Sequence, residues 1–184
     1  MKVCREGFDT YGFRTENLER AANNEPAKPL SNLFTYGTLM RGEERFSILQ
    51  SRSPSCILVA HVWGQIYNLG SCPGLDLKTD VGLVRGEFSK FPDTEFPLLL
   101  KKLDKTEGLA GFGRRIVNAD VGQNRQRLAW TYTMNERKGQ LIKSGCWRVE
   151  TNRWRDFALS ILQRHEEGVD DFYNKLAWSL SPFE

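Results

Sequence analysis

Leu33-Phe34-Thr35-Tyr36-Gly37-Thr38-Leu39-Met40-Arg41-Gly42 is where the chain passes from irregular to patterned sequence. The apolar and aromatic run Leu33–Tyr36 is stopped by Gly37, which predicts a short strand ending in a tight turn. A glycine at a strand end frees the backbone, so successive N–H groups can converge on one point. Such a nest binds a carboxylate or a developing oxyanion without a cationic side chain. The same residues would also serve as an ordinary strand-turn-helix connection.

Upstream, residues 1 to about 30 are rich in Asn, Glu, Arg, Ala and Pro and have no clear periodicity. With Pro26 and Pro29 at its end, this stretch suits an arm leading into the domain. Downstream, Glu43–Gln50 is a short helical candidate. β-branched and aromatic residues return over Cys56–Leu69, which predicts one long strand bent at Gly64, or two joined ones. Gly70-Ser71-Cys72-Pro73-Gly74 reads as a loop by its Gly/Pro content, and Leu83–Phe88 as a further strand.

Thr94–Glu107 predicts a helix. Phe96, Leu99, Leu100 and Leu103 fall on one face, Asp93 or Thr94 can cap it, Pro97 sits in the first turn, and Gly108 suits the position after its end. Arg115–Val121 alternates, with Ile116 out of phase, and Leu128–Thr133 alternates more cleanly. The stripe Trp154, Phe157, Ala158, Ile161, Leu162 predicts a C-terminal helix, and Val169, Phe172, Tyr173, Leu176 a second stripe. About five or six strands with scattered helices fit a mixed or barrel-like sheet of the α+β kind, and the lack of regular β-α alternation argues against a doubly wound sheet.

Composition narrows the chemistry. The 184 residues fit one domain of ordinary globular make-up, 40% hydrophobic and 27% charged. The longest apolar runs, Cys56–Ala60 and Phe96–Leu100, are too short to cross a membrane, and the N-terminus lacks the apolar stretch of a secretory signal, so a cytoplasmic location is expected. The four cysteines are scattered with no CxxC pair, which predicts free thiols rather than a zinc site. A net charge of +3 with acidic residues near both arginine-rich stretches argues against nucleic acid. No Walker loop, Gly-x-Gly-x-x-Gly or EF-hand is present, and neither His61 nor His165 has a nucleophile signature beside it. Catalysis without metal or cofactor would have to use carboxylates, backbone donors and tyrosines.

One carboxylate stands out in Leu103-Asp104-Lys105-Thr106-Glu107-Gly108. Glu107 is placed near a helix C-terminus, against the negative end of the helix dipole, which suits a group that exchanges a proton. A solvated surface Glu beside a capping glycine would carry the same local sequence.

In this order these segments resemble the gamma-glutamylcyclotransferase-like (AIG2-like) family, which includes the gamma-glutamylamine cyclotransferases and the BtrG-type enzymes. The resemblance runs from Leu33 to about Asn135. It rests on Tyr36-Gly37-Thr38-Leu39, on Gly64-Gln65-Ile66-Tyr67-Asn68-Leu69-Gly70 followed by Pro73-Gly74-Leu75, on Arg85-Gly86-Glu87-Phe88, on Leu103-Asp104-x-x-Glu107-Gly108, and on Ala129-Trp130-Thr131-Tyr132. It implies a small mixed β-barrel flanked by helices over 31–143, with an N-terminal arm over 1–30 and a C-terminal helical extension over 144–184 packed on the same domain.

The activity implied is cyclisation of a gamma-glutamyl amine or peptide to 5-oxoproline and a free amine, without cofactor. The nucleophile is the substrate's own α-amine, so holding the substrate folded supplies much of the acceleration. By the same resemblance Glu107 is the general acid/base, Tyr36, Gly37, Thr38, Leu39 and Met40 hold the glutamyl carboxylate and carbonyl oxygen, and Tyr132 lines the pocket. The family usually follows Glu-Gly with Tyr-x-Arg, where this chain has Phe112-Gly113-Arg114. The arm and extension could cover the barrel mouth, form a homodimer contact or select the leaving group. A non-catalytic binding or regulatory domain on the same fold, and hydrolysis or transfer at a related amide, are the competing readings.

Overall fold

In the computed structural model the run Cys56–Asn68 forms one continuous strand, β2, and the other strands assemble around it. The structure describes residues 20–23, 27–70, 72–77, 82–135 and 148–166, with side chains up to residue 160. In chain order the elements are β1 (Asn32–Thr35), α1 (Ser47–Gln50), β2, β3 (Pro73–Asp76), β4 (Gly82–Lys90), α2 (Phe96–Leu109), β5 (Phe112–Asp120), β6 (Gln126–Met134) and α3 (Trp154–Glu166).

The sheet order is β3-β2-β4-β1-β6-β5, and β2 also pairs with β5 where His61 meets Asp120, closing a five-strand barrel with β3 added outside the closure. β1 and β6 run parallel and the other pairs antiparallel, so the barrel is mixed as expected. β2 serves two partners. Its first part, Cys56–Gly64, pairs with β4, and Gln65–Asn68 pairs with β3. The handover falls on Gly64, where a Cβ would stand 2.7 Å from the Asp76 carbonyl oxygen.

Alternation along β1 divides the core in two. Phe34 and Tyr36 point into the barrel with Ala60, Ile66, Val84 and Ala129, whereas Leu33 faces outward to a second cluster with Leu49, Phe91, Phe96, Leu99 and Leu103 beneath α2. Each fully buried Leu of that stripe is worth roughly 2 kcal/mol of transfer free energy. The end of β1 is thus held on both faces, and the turn after it leaves from a rigid base.

Several local expectations need correction. Glu43–Gln50 is not one helix: residues 41–46 form turns closed by i to i−3 bonds, such as Phe46 N–H to Glu43 O, and only Ser47–Gln50 is helical. Pro73 and Gly74, read as loop, open β3. Proline is tolerated as the first residue of a strand, and the hairpin is closed by Leu69 N–H donating to Cys72 O. The N-cap of α2 is Glu95, with no side-chain cap, rather than Asp93 or Thr94. α2 also continues through Gly108 to Leu109, and the left-handed residue after it is Gly111, at φ 79°. β5 starts three residues early, at Phe112. Ile116, out of phase in the sequence, is half exposed while Val117 is buried.

The thiols also differ from expectation. Cys72 is in no disulfide, but Cys56 is disulfide-bonded, and spacing along the chain carries no information about which cysteines the fold brings together. Cys4 and Cys146 lie outside the described residues, as do most of the expected arm and the stripe Val169–Leu176. No helix among the described residues is long and apolar enough to cross a membrane.

Candidate active site

Leu99, Leu103 and Glu107 are spaced by four, so all three lie on the buried face of α2. The carboxylate therefore takes a core position and is 6% exposed. A buried charge needs a partner, and the partner is Arg45, whose Nη2 stands 2.7 Å from Glu107 Oε1. The N–H is poorly aimed for a hydrogen bond, so Oε1 is in close charge contact yet has no directed donor. Attraction between the two charges at this distance depends little on angle, so the contact holds without that alignment. Arg45 Nη2 also reaches Thr106 Oγ1 at 3.4 Å.

The glycine turn lies opposite. Gly37 leaves β1 with its Cα against β3: a Cβ there would stand 2.2 Å from Pro73 Cγ, so no other residue fits without moving that strand. The turn is closed by Met40 N–H donating to Gly37 O at 2.8 Å and by Arg45 N–H donating to Thr38 O at 2.9 Å. Among the described residues, none accepts a hydrogen bond from the N–H of Gly37, Thr38 or Leu39. Three consecutive free donors in a largely buried turn are the property expected of an anion cradle.

Between turn and helix lies a pocket of about 490 Å³, open mouth included. Tyr36, Gly37, Thr38, Leu39, Glu107 and Tyr132 all line it. Met40 does not; it is buried behind the turn and lines a separate cavity beside β4 and α3. Arg45, Phe112, Cys72 and Pro73 complete much of the wall. Thr35 Oγ1, also on the wall, is a second buried oxygen without a hydrogen-bond partner among the described residues.

The two tyrosines are committed to the frame. Tyr36 OH donates to Tyr132 O at 2.7 Å and accepts from Leu75 N–H at 3.2 Å, tying β1 to β6 and β3. Burial, with a smaller push from Glu107, raises its hydroxyl far above the usual tyrosine range, so it stays protonated. Tyr132 OH donates to Asp104 Oδ1 at 2.7 Å, and burial followed by that carboxylate likewise raises it. Asp104 is held in turn by Arg114 Nη1 at 2.9 Å, whose guanidinium lies over the Trp130 ring at 4.5 Å. The fixed, neutral rings can shape the pocket but are poor proton shuttles. Among the described residues no cluster of His, Cys, Asp or Glu could hold a metal ion.

Arg45 is the site residue the sequence reading missed. It lies in a charged stretch with no local pattern, and only the fold of 41–46 and the buried face of α2 bring it to Glu107. The spacing Leu99, Leu103, Glu107 was the readable sign that Glu107 sits on the inner face rather than at a solvated helix end.

The sequence profile of the family described as gamma-glutamyl cyclotransferase, AIG2-like, matches residues 33–149. No curated protein matches the chain. Among solved structures, YkqA from Bacillus subtilis superposes with a TM-score of 0.54 at 21% identity over 78% of this chain, which spans 44% of that protein's length. The uropathogenic Escherichia coli protein c4763 gives 0.52 at 18% identity, over 71% of this chain and 97% of its own. Allophanate hydrolase from Kluyveromyces lactis gives 0.54 at 13%, over 73% of this chain and 22% of that enzyme. At these identities the likeness is one of fold.

Proposed function

The chain belongs to the gamma-glutamyl cyclotransferase, AIG2-like family, and on that footing we propose that it releases 5-oxoproline and a free amine from a gamma-glutamyl amine or peptide. The observation that carries this reading is the facing pair in one pocket: a buried carboxylate, Glu107, and three consecutive backbone N–H groups at Gly37–Leu39 without acceptors among the described residues.

The steps use only groups that line the pocket. The substrate α-ammonium passes a proton to Glu107, and its nitrogen attacks the gamma-carbonyl carbon, forming the ring C–N bond. The carbonyl oxygen becomes an oxyanion, met by the turn's N–H groups; one such donor is typically worth a few kcal/mol in the transition state. As the bond to the departing nitrogen breaks, Glu107 returns its proton there. The second proton shed by the ring nitrogen ends on the released amine. Arg45 holds Oε1 of Glu107, leaving the other oxygen for this exchange, and the fixed pocket keeps nucleophile and carbonyl together. No seryl or cysteinyl intermediate is required.

The test is incubation of the purified chain with a panel of gamma-glutamyl amines and gamma-glutamyl peptides, following 5-oxoproline by chromatography. Release from at least one class supports the reading; binding of a panel member without any 5-oxoproline favours a non-catalytic domain on this fold.

A further inference from the structure

α3 lies beyond the matched region, which ends at residue 149, yet it grips the back of the glycine turn. The segment before it is stitched to the barrel. Val149 N–H donates to Ile66 O at 2.9 Å, Asn152 Oδ1 accepts from Ile66 N–H at 3.0 Å, and Asn152 O accepts from Arg85 N–H at 3.1 Å. Asn152 is buried in a left-handed conformation at φ 50°, and the chain reverses there into α3, whose first residue, Trp154, is buried. This anchorage sets the place of Arg155.

Arg155 Nε donates to Glu43 Oε1 at 2.8 Å, and its Nη2 donates to the Arg41 carbonyl. From the other side Glu87 of β4, itself buried, accepts from Arg41 N–H at 2.8 Å and from Arg41 Nε at 3.0 Å. Both backbone groups of Arg41 are therefore taken, one by the barrel and one by α3. Arg41 follows Gly37–Leu39 by way of Met40 and precedes Gly42, which turns the chain at φ 81°. An exposed ion pair alone would count for little. A guanidinium fork that takes a carboxylate and a backbone carbonyl at once fixes one loop geometry, which a single surface charge does not.

We infer that Arg155 is a positioning residue for the cradle: α3 braces Arg41–Glu43 from behind and so fixes the direction of the N–H groups at Gly37–Leu39. The inference rests on the proposed function for the meaning of that cradle, but its geometry can be tested without turnover. The experiment is amide hydrogen exchange of the full chain, comparing peptides over 37–43 with peptides over 82–90. It uses Arg155→Met, Arg155→Lys, and Glu43→Gln, which takes the charge from the carboxylate that Arg155 grips and leaves the sequence of α3 unchanged. Arg153→Gln is the control, since Arg153 pairs with Asp156 at 3.5 Å and not with the turn.

Exchange over 37–43 is expected to rise about tenfold in Arg155→Met, less in Arg155→Lys and Glu43→Gln, and not in Arg153→Gln, with 82–90 unchanged throughout. On a turned-over substrate, kcat should fall about tenfold in Arg155→Met with a smaller change in KM, and Lys should restore part of it. Wild-type exchange over 37–43 in both Arg155→Met and Glu43→Gln would overturn the brace. Absence of 5-oxoproline from the wild-type chain would instead count against the proposed function, and the exchange result would still decide the role of Arg155.

Discussion

Arg45 Nη2 stands 2.7 Å from Glu107 Oε1, and this contact joins the two halves of the site. Arg45 ends the turn that begins at Gly37, and Glu107 ends the buried stripe of α2. Any movement of the turn relative to α2 therefore moves the carboxylate's counter-charge with it.

Replacing Arg45 by Met should misdirect Glu107 and leave a buried carboxylate without its cation. Steady-state kinetics on a turned-over gamma-glutamyl substrate should show kcat reduced by about ten- to a hundredfold. The stability cost should stay within about 1–3 kcal/mol by chemical denaturation, because the guanidinium is partly solvated. Arg45→Lys, which keeps the charge and loses the planar fork, should fall between. Wild-type kcat in Arg45→Met would show that the contact has no catalytic part.

Gly37 is expected to tolerate no side chain. In Gly37→Ala the new methyl meets the Pro73 ring, which is stiff and built into β3. The expected result is a loss of about 1–3 kcal/mol in thermal unfolding together with a raised KM, since both the strand and the cradle must shift. An unchanged Tm with unchanged KM would contradict the close approach.

Tyr36→Phe should cost about 1–3 kcal/mol, because it leaves the Tyr132 carbonyl and the Leu75 N–H without their shared partner inside the barrel. The hydroxyl also sets a pH dependence. Its folded-state value is raised above the ordinary 10, so the folded chain keeps its proton where the unfolded chain loses it. The contribution is therefore complete below pH 10 and declines above it, by at most about 1.4 kcal/mol per pH unit for one proton. Denaturation midpoints measured from pH 8 to 11 should fall less steeply in Tyr36→Phe than in the wild type.

What the sequence could and could not reveal follows from the range of each interaction. β2 was readable because its apolar and β-branched run is local, and α2 because it carries its own period, whereas the inward place of Glu107 was masked by its reading as a residue at the helix end. The loop reading of Pro73-Gly74 failed because composition outweighed the pairing with Tyr67 and Asn68, which is a property of the neighbouring strand. The helix over Glu43–Gln50 failed because Arg45 N–H is taken by the Thr38 carbonyl and the Glu43 carboxylate by Arg155, and neither is a helical i to i−4 partner. Arg45 and Arg155 escaped for the same reason: a surface-type residue acquires a role only when the fold supplies its partner.

The most direct test of the central claim is 5-oxoproline release by Glu107→Gln beside the wild-type chain, on the substrate the panel identifies. The amide keeps the volume of the side chain and cannot carry the proton. The account predicts a fold retained by circular dichroism and a rate reduced by at least about a hundredfold, at the lower end of what general acid–base catalysis contributes. A folded Glu107→Gln chain that turns over at the wild-type rate would contradict it.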